Sequence, residues 1–285
     1  MSKALVLSLA WAVCACAADR TVDPTFLRRS LDQVKPVASD LTTSTSRYKA
    51  LFGAGDPDSR IVRGMARYGE LSVDAGGASA VLSRPNEEQA WVVLDGSGTV
   101  MYGDEQFPVK KHDFFYVPPD VRHGVKAASA LRAIVMGFRI PAGTQVIKPA
   151  KFQIANIDEI EKQVVGNHPP TTLYQLMMGD TRSKRDRLAT GHVLTSLYVM
   201  EFAPGGTNSP HHHDREEETY LVLTGHGEMV AGGGVDGVEG RHPAKIGDAY
   251  FFRLNATVGF YARQKEGEEK SRILAVRSLY PFRRF

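Results

Sequence analysis

The chain reads as an all-β protein built from two copies of one strand pattern, with a short helical linker between them and an N-terminal arm in front. Three observations carry this reading. From about Ile61 onward, apolar, β-branched and aromatic runs alternate with Gly, Pro, Asp and Asn. Examples are Trp91-Val92-Val93-Leu94, Phe114-Phe115-Tyr116-Val117, Tyr220-Leu221-Val222-Leu223 and Tyr250-Phe251-Phe252. Short runs bounded in this way are strands. The pattern then occurs twice, because Gly76 and Gly96 match Gly205 and Gly225, and Asp113-Phe114-Phe115-Tyr116-Val117 matches Asp248-Ala249-Tyr250-Phe251-Phe252. A repeat of this kind decides the architecture. Finally, helical periodicity is confined to a few places.

Composition agrees with a globular fold. The chain has 285 residues, 42% hydrophobic and 24% charged, which excludes disorder, collagen, a coiled coil and a multi-span membrane protein. With 35 basic residues against 32 acidic ones, the net charge of +3 provides no basic stripe of the sort nucleic acids require. The densest cationic run, Arg182, Lys184, Arg185 and Arg187, is broken by Asp186 and reads as a solvated loop.

Taken in order, residues 1–18 have the layout of a signal peptide: Lys3, an apolar run from Ala4 to Ala18, and an A-x-A-like site at Ala15-Cys16-Ala17. The run is too short to span a bilayer as a helix, so export into the periplasm or the medium is expected, without a stable membrane span. A buried N-terminal helix and lipid attachment at Cys16 are the alternatives. Cys14 and Cys16 are the two cysteines, and cleavage at Ala17 or Ala18 removes both. A metal site in the mature chain must then use histidine, carboxylate or other oxygen ligands. Residues 19–58 form the arm, with a short helix around Phe26 to Val34. Residues 59–140 hold the first copy. Residues 141–170 are the linker, where Ile157, Ile160 and Val164 share one face of a helix from Ile157 to Val165 and Asp158 and Glu159 sit at its start. Residues 171–285 hold the second copy, whose extra length falls around Gly232-Gly233-Gly234, a flexible hairpin tip.

At Gly205 the second copy runs through five residues to His211-x-His213, four more to Glu218 and six more to Gly225. These residues match the first motif of the cupin superfamily at every position. About residues 60 to 285 resemble a bicupin, that is, two cupin (double-stranded β-helix, jelly-roll) barrels in one chain. The residues support the motif on their own terms. On a strand, His211 and His213 project to one side and His212 to the other. Glu218 opens the next apolar strand and shares a face with Tyr220 and Val222. Two imidazoles and a carboxylate around one point form a facial three-ligand site of the kind non-haem Fe(II) enzymes use.

The chain departs from the family in its second motif. Cupins place a fourth ligand, a histidine, eleven residues after the opening glycine; counting from Gly247 reaches Val258, and no histidine occurs from Pro243 to Phe285. The metal therefore keeps three protein ligands and extra open positions, or the site is weak and holds metal only with substrate, or Tyr250 or Tyr261 supplies an oxygen. Tyr220, Val258 and Tyr250 are candidate substrate-pocket residues. The first copy is the mirror case, with Leu82, Arg84 and Gln89 at the ligand positions and His123 at the second-motif position. It reads as metal-free, and Arg84, Gln89 and His123 are candidates for a second pocket. His112, His168, His192, His226 and His242 lack recognisable partner spacing.

The resemblance implies a secreted, metal-binding bicupin acting on a small organic molecule through one divalent transition metal. Fe(II) is favoured, with Mn, Ni, Zn or Cu as alternatives. A dioxygenase-type oxidoreductase is the leading expectation. A metal-dependent decarboxylase, isomerase or hydrolase stands beside it, as does a non-catalytic module binding sugars or other small molecules. A homo-oligomer remains open, since cupins often pair through sheet edges.

Overall fold

The computed structural model describes residues 24–166, 168–234 and 238–281, so the expected signal peptide lies outside the described residues. Each half supplies a large sheet and a three-stranded sheet that together enclose a barrel. In the first half the large sheet runs Gln153–Asn156, Asp113–Val117, Glu87–Asp95, Leu131–Arg139, Met65–Val73 and Ser46–Gly53. Its small partner is Glu105–Lys110, Ser97–Tyr102 and His123–Ala127. In the second half the large sheet runs Phe26–Ser30, Asp248–Phe252, Glu216–Thr224, Ser271–Leu279, Leu194–Phe202, Thr172–Asp180 and Leu188–Gly191. Gly240–Lys245, His226–Gly232 and Thr257–Ala262 form its small sheet. No helix among the described residues is long and apolar enough to cross a membrane.

The apolar runs are nearly continuous because the large sheets are buried on both faces. Along Glu216–Thr224, Tyr220 and Val222 join the core inside the second barrel, while Leu221 joins a core shared with the first half. That shared core gathers Phe52, Tyr68, Phe114 and Phe138 against Met177, Leu197, Leu221 and Phe251. A third core, with Trp91, Phe115 and Val125, fills the first barrel.

Two expectations need correction. The first concerns the helix expected within the N-terminal arm. Phe26–Ser30 is an antiparallel edge strand on Asp248–Phe252 of the second half, and Ser46–Gly53 pairs with Met65–Val73 of the first. The helix expected around Phe26 to Val34 is therefore a strand, because Leu27 and Ser30 turn inward while Arg28 and Arg29 reach Asp248 and Asp56. The linker helix expected over Ile157 to Val165 is a single 3-10 turn, Ile157–Glu159. Gln175 Nε2 donates to the Ile157 and Ile160 carbonyls, at 2.8 and 2.9 Å, which occupies the acceptors a longer helix would use. The Gln153–Asn156 strand just before that turn pairs with Asp113–Val117 of the first half.

The two halves thus exchange edge strands, and the repeated aspartates anchor the exchange. Asp248 accepts from Ser30 Oγ at 2.6 Å and Asp113 accepts from Asn156 Nδ2 at 2.7 Å. A second reciprocal link lies deeper. Glu88, fully buried, accepts the backbone amides of His192, Val193 and Leu194 at 2.9, 2.6 and 2.7 Å, and the Tyr116 hydroxyl at 2.8 Å. Glu217, 1% exposed, accepts the amides of Arg63, Gly64 and Met65 at 2.7, 2.7 and 3.2 Å. Each half thereby holds the start of a strand of the other, Leu194–Phe202 or Met65–Val73, through a carboxylate.

Removing either carboxylate leaves three amides without acceptors, two of them buried. Glu88→Ala and Glu217→Ala are each expected to destabilise the chain by about 3 kcal/mol or more. Urea denaturation read against Glu105→Ala, on an exposed hairpin, measures this; losses no larger than that control's would contradict it.

Candidate metal centre

His211, His213 and Glu218 come together, with one ligand atom from each lying within 4.8 Å of the others. The local structure that achieves this differs from a plain strand. His211 makes a single antiparallel bridge to Val258, exchanging backbone hydrogen bonds at 3.0 and 2.8 Å. The chain then bends through Asp214 and Arg215 before the strand opens at Glu216. His212 is exposed, whereas His211 and His213 are half-buried with ring centroids 4.9 Å apart. Glu218 is 1% exposed.

Each group is oriented by a neighbour. His211 Nδ1 donates to the Ser209 carbonyl at 2.9 Å, which leaves Nε2 as a lone-pair donor, the arrangement that fixes a ligating imidazole. Ser209 is held at φ 57°, in the left-handed region. Tyr198 donates its hydroxyl to Glu218 Oε1 at 2.6 Å. The other carboxylate oxygen, Oε2, lies 3.2 Å from His213 Nε2, yet the two are not aligned for a hydrogen bond, and both are buried without a partner. Buried polar atoms are almost always satisfied, so a facing pair of orphaned lone-pair donors fits a cation. Two nitrogens and an oxygen match a divalent transition ion.

The electrostatics suit the same use. Burial raises the Glu218 pKa, but His213, Arg277 and His211 outweigh it and hold the carboxyl below its ordinary value, as a carboxylate. Burial pushes the His211 pKa down against the pull of Glu218, which favours the neutral ring. Tyr198 is driven well above its ordinary value by burial and by Glu218, so it remains a donor. Arg277 adds a positive charge, its guanidinium 5.9 Å from the Tyr198 ring and 3.3 Å from Glu216.

The remaining candidates fall differently. Val258, 1% exposed, stands opposite His211 where a fourth ligand would sit. Tyr220 is fully buried, and its hydroxyl accepts from Asn208 Nδ2 at 2.9 Å. Tyr250 donates to the Pro243 carbonyl at 3.2 Å and stacks near Phe26 and Phe252, which places its hydroxyl on the backbone and outside the three-residue cluster. Tyr261 lies under the Arg241 guanidinium at 4.2 Å. Two residues with no sequence signal join the centre. One is Tyr198. The other is His168, whose ring is 5.3 Å from that of His211 and whose Nδ1 donates to the Asn208 carbonyl at 2.6 Å. Neither lies within the repeat's ligand spacing, so only folding reveals them.

The first barrel repeats the geometry with other chemistry. Leu82 bridges His123 as His211 bridges Val258. His123 Nε2 lies 2.9 Å from Gln89 Oε1, which also accepts Trp91 Nε1 at 2.8 Å, while Gln89 Nε2 donates to Glu87 at 2.7 Å. Arg67 pairs with Glu87 at 2.8 Å, and Arg84 pairs with Asp40. Arg84, Gln89 and His123 are therefore tied into one network. A cleft of about 550 Å³ opens at its rim, lined by Arg84, Glu87 and Arg139 among others, and neither Gln89 nor His123 reaches it.

The cupin domain model matches residues 69–137 and 198–276, just over half of the chain, and the second region contains all three clustered residues. The chain belongs to the cupin family. No curated protein sequence matches this cupin. Among solved structures, it is similar to the putative glyoxylate-induced protein of Pseudomonas aeruginosa, at 16% identity and TM-score 0.69 over 94% of each chain. The protein Ylba of E. coli matches at 16% identity and TM-score 0.66, over 94% of this chain and 97% of that one. The oxalate decarboxylase of Lactobacillus farciminis, solved as a formate complex, matches at 13% identity and TM-score 0.66, over 92% and 88%. At these identities the likeness concerns the fold, which is the two-barrel cupin.

His123 provides a pH test of the first barrel. Burial pushes its pKa down from 6.5 to about 4. Between those values the unfolded chain binds a proton that the folded chain refuses, so this contribution is complete above about pH 6.5 and is lost as pH falls toward 4. It amounts to roughly 3 kcal/mol. Urea denaturation of the native chain and of His123→Gln from pH 4 to 7.5 should show a shallower acid-side loss in the variant, and parallel profiles would refute the assignment.

Proposed function

We propose that this cupin is a mononuclear metal enzyme whose second barrel holds one divalent ion through His211, His213 and Glu218. The observation that carries this reading is the orphaned pair, Glu218 Oε2 and His213 Nε2, buried and 3.2 Å apart beside His211. A divalent ion bound there supplies a Lewis acid and, where the ion is redox-active, electrons for reaction with O₂. The chain's own groups do the rest. Ser209 and Tyr198 hold His211 and Glu218 in ligating orientation. Val258 contributes an apolar wall in place of a fourth ligand, so a bound ion would keep coordination positions for a small molecule that chelates through oxygen. Arg277 adds a positive charge beside the cluster, its guanidinium 5.9 Å from the Tyr198 ring.

The reaction class that best uses an open three-ligand centre is dioxygenase-type oxidation of a small organic substrate, with Fe(II) as the favoured ion. A second reading, metal-assisted decarboxylation of a small carboxylate, draws on the likeness to an oxalate decarboxylase. Oxygen uptake against CO₂ release, measured on the same small carboxylates and enediols, separates the two. Lys3 and the apolar run from Ala4 to Ala18 support an exported enzyme.

The metal reading has a direct test. Metal analysis of the full chain should find about one tightly bound transition ion, and adding it to stripped protein should raise the melting temperature. His211→Ala, His213→Ala and Glu218→Gln should each weaken binding at least a hundredfold, whereas Val258→His should tighten it about tenfold. Stripped protein whose melting temperature ignores Fe(II), Mn(II), Ni(II) and Zn(II) alike would overturn the proposal.

A further inference from the structure

Away from the three-residue cluster, Arg60, Arg63 and Arg253 line one cleft of about 260 Å³ with Ile61 and Tyr280. Most arginines set against the sheets are matched to an acid: Arg28 to Asp248, Arg29 to Asp56, Arg67 to Glu87, Arg132 to Glu70 and Arg277 to Glu216. Among the described residues, the guanidinium groups of Arg60, Arg63 and Arg253 have no carboxylate partner. Arginine does not deprotonate to relieve repulsion, so these groups, Arg60 and Arg63 exposed and Arg253 half-buried, keep three positive charges around one small hollow.

The repeat supplies an internal control. Glu217 receives the amides of Arg63, Gly64 and Met65 as Glu88 receives those of His192, Val193 and Leu194. Arg63 therefore corresponds to His192, and counting back, Arg60 corresponds to Ala189. Phe252 pairs with Glu218 as Val117 pairs with Gln89, so Arg253 corresponds to Pro118. At the matching positions the other copy carries His192, Ala189 and Pro118, although its local element is a strand, Leu188–Gly191, where the first copy has a 3-10 turn, Ser59–Ile61.

We propose that this cleft binds a small oxyanion: an inorganic phosphate or sulfate, or the carboxylates of a short polycarboxylic acid. Guanidinium forks match such groups with paired, charge-assisted hydrogen bonds. The volume is below the roughly 300–1,000 Å³ of ordinary cofactor pockets, which suits an ion of a few heavy atoms and not a nucleotide. The cleft adjoins the loop that bears His213. The Asn255 amide donates to the His213 carbonyl and the Tyr280 amide donates to the Arg215 carbonyl, both at 2.8 Å. A bound anion would then sit beside the metal-cluster loop without using its ligands, and the proposal stands whether or not a metal binds.

Calorimetric titration of the full chain with phosphate, sulfate and citrate, at ionic strength held constant with sodium chloride, tests it. At least one of these should bind at a single site. The Arg60→Gln/Arg253→Gln double variant and Arg63→Gln should each weaken that binding tenfold or more, while His211→Ala leaves it unchanged. The preferred probe tells an inorganic ion from a polycarboxylate. If Arg63→Gln fails to fold by circular dichroism, the double variant decides. No binding of any of the three anions, or binding that survives the double variant, overturns the proposal.

Discussion

Two buried carboxylates govern how this molecule is assembled. Glu88 and Glu217 each leave their own barrel to receive three consecutive amides at the start of a strand of the other half. A strand that starts against a buried surface carries amides with no neighbour to bond, and an unsatisfied buried amide is costly. The carboxylates meet that need reciprocally. The exchanged edge strands, Phe26–Ser30 and Gln153–Asn156, repeat the same logic at the rim. Together they bury a core common to both halves, so the barrels form one cooperative unit.

The link reaches the candidate site through strand alternation. Glu217 and Glu218 are adjacent and project to opposite faces. One grips the first half; the other faces His211 and His213 inside the second barrel. The same strand therefore registers the barrels against each other and sets the depth of a ligand. Glu88 and Gln89 repeat the arrangement in the first half, where the inward residue is an amide.

That substitution explains why two barrels of one design differ in chemistry. In the first, Gln89 is bonded by Trp91, lies against His123 and donates to Glu87, so the interior closes on itself and a buried, neutral histidine becomes structure. In the second, Glu218 is held by Tyr198 on one oxygen while the other oxygen faces His213 unbonded. In the first barrel the counterpart residues bond one another, whereas in the second Glu218 Oε2 and His213 Nε2 face each other without a bond.

Much of this is legible along the chain. Strands alternate with turn residues on a scale of a few positions, and the repeated glycines and aspartates expose the duplication. The spacing of His211, His213 and Glu218 encodes three groups that one barrel brings together. The two expected helices, over Ile157 to Val165 and around Phe26 to Val34, fail for a common reason. Ile157, Ile160 and Val164 have helical spacing, but Gln175 takes the carbonyls such a helix would need, and Phe26–Ser30 is extended only because Asp248–Phe252 offers it an edge. Local pattern also could not supply Tyr198 or His168 at the centre, the glutamate cradles, or the arginines gathered from two halves. Periodicity reports which way neighbouring side chains point, since that depends on bond geometry within a few residues. Which distant group satisfies a buried carboxylate, and which cations meet in a hollow, depends on closing loops of a hundred residues or more, and that is settled only when the sheets pack.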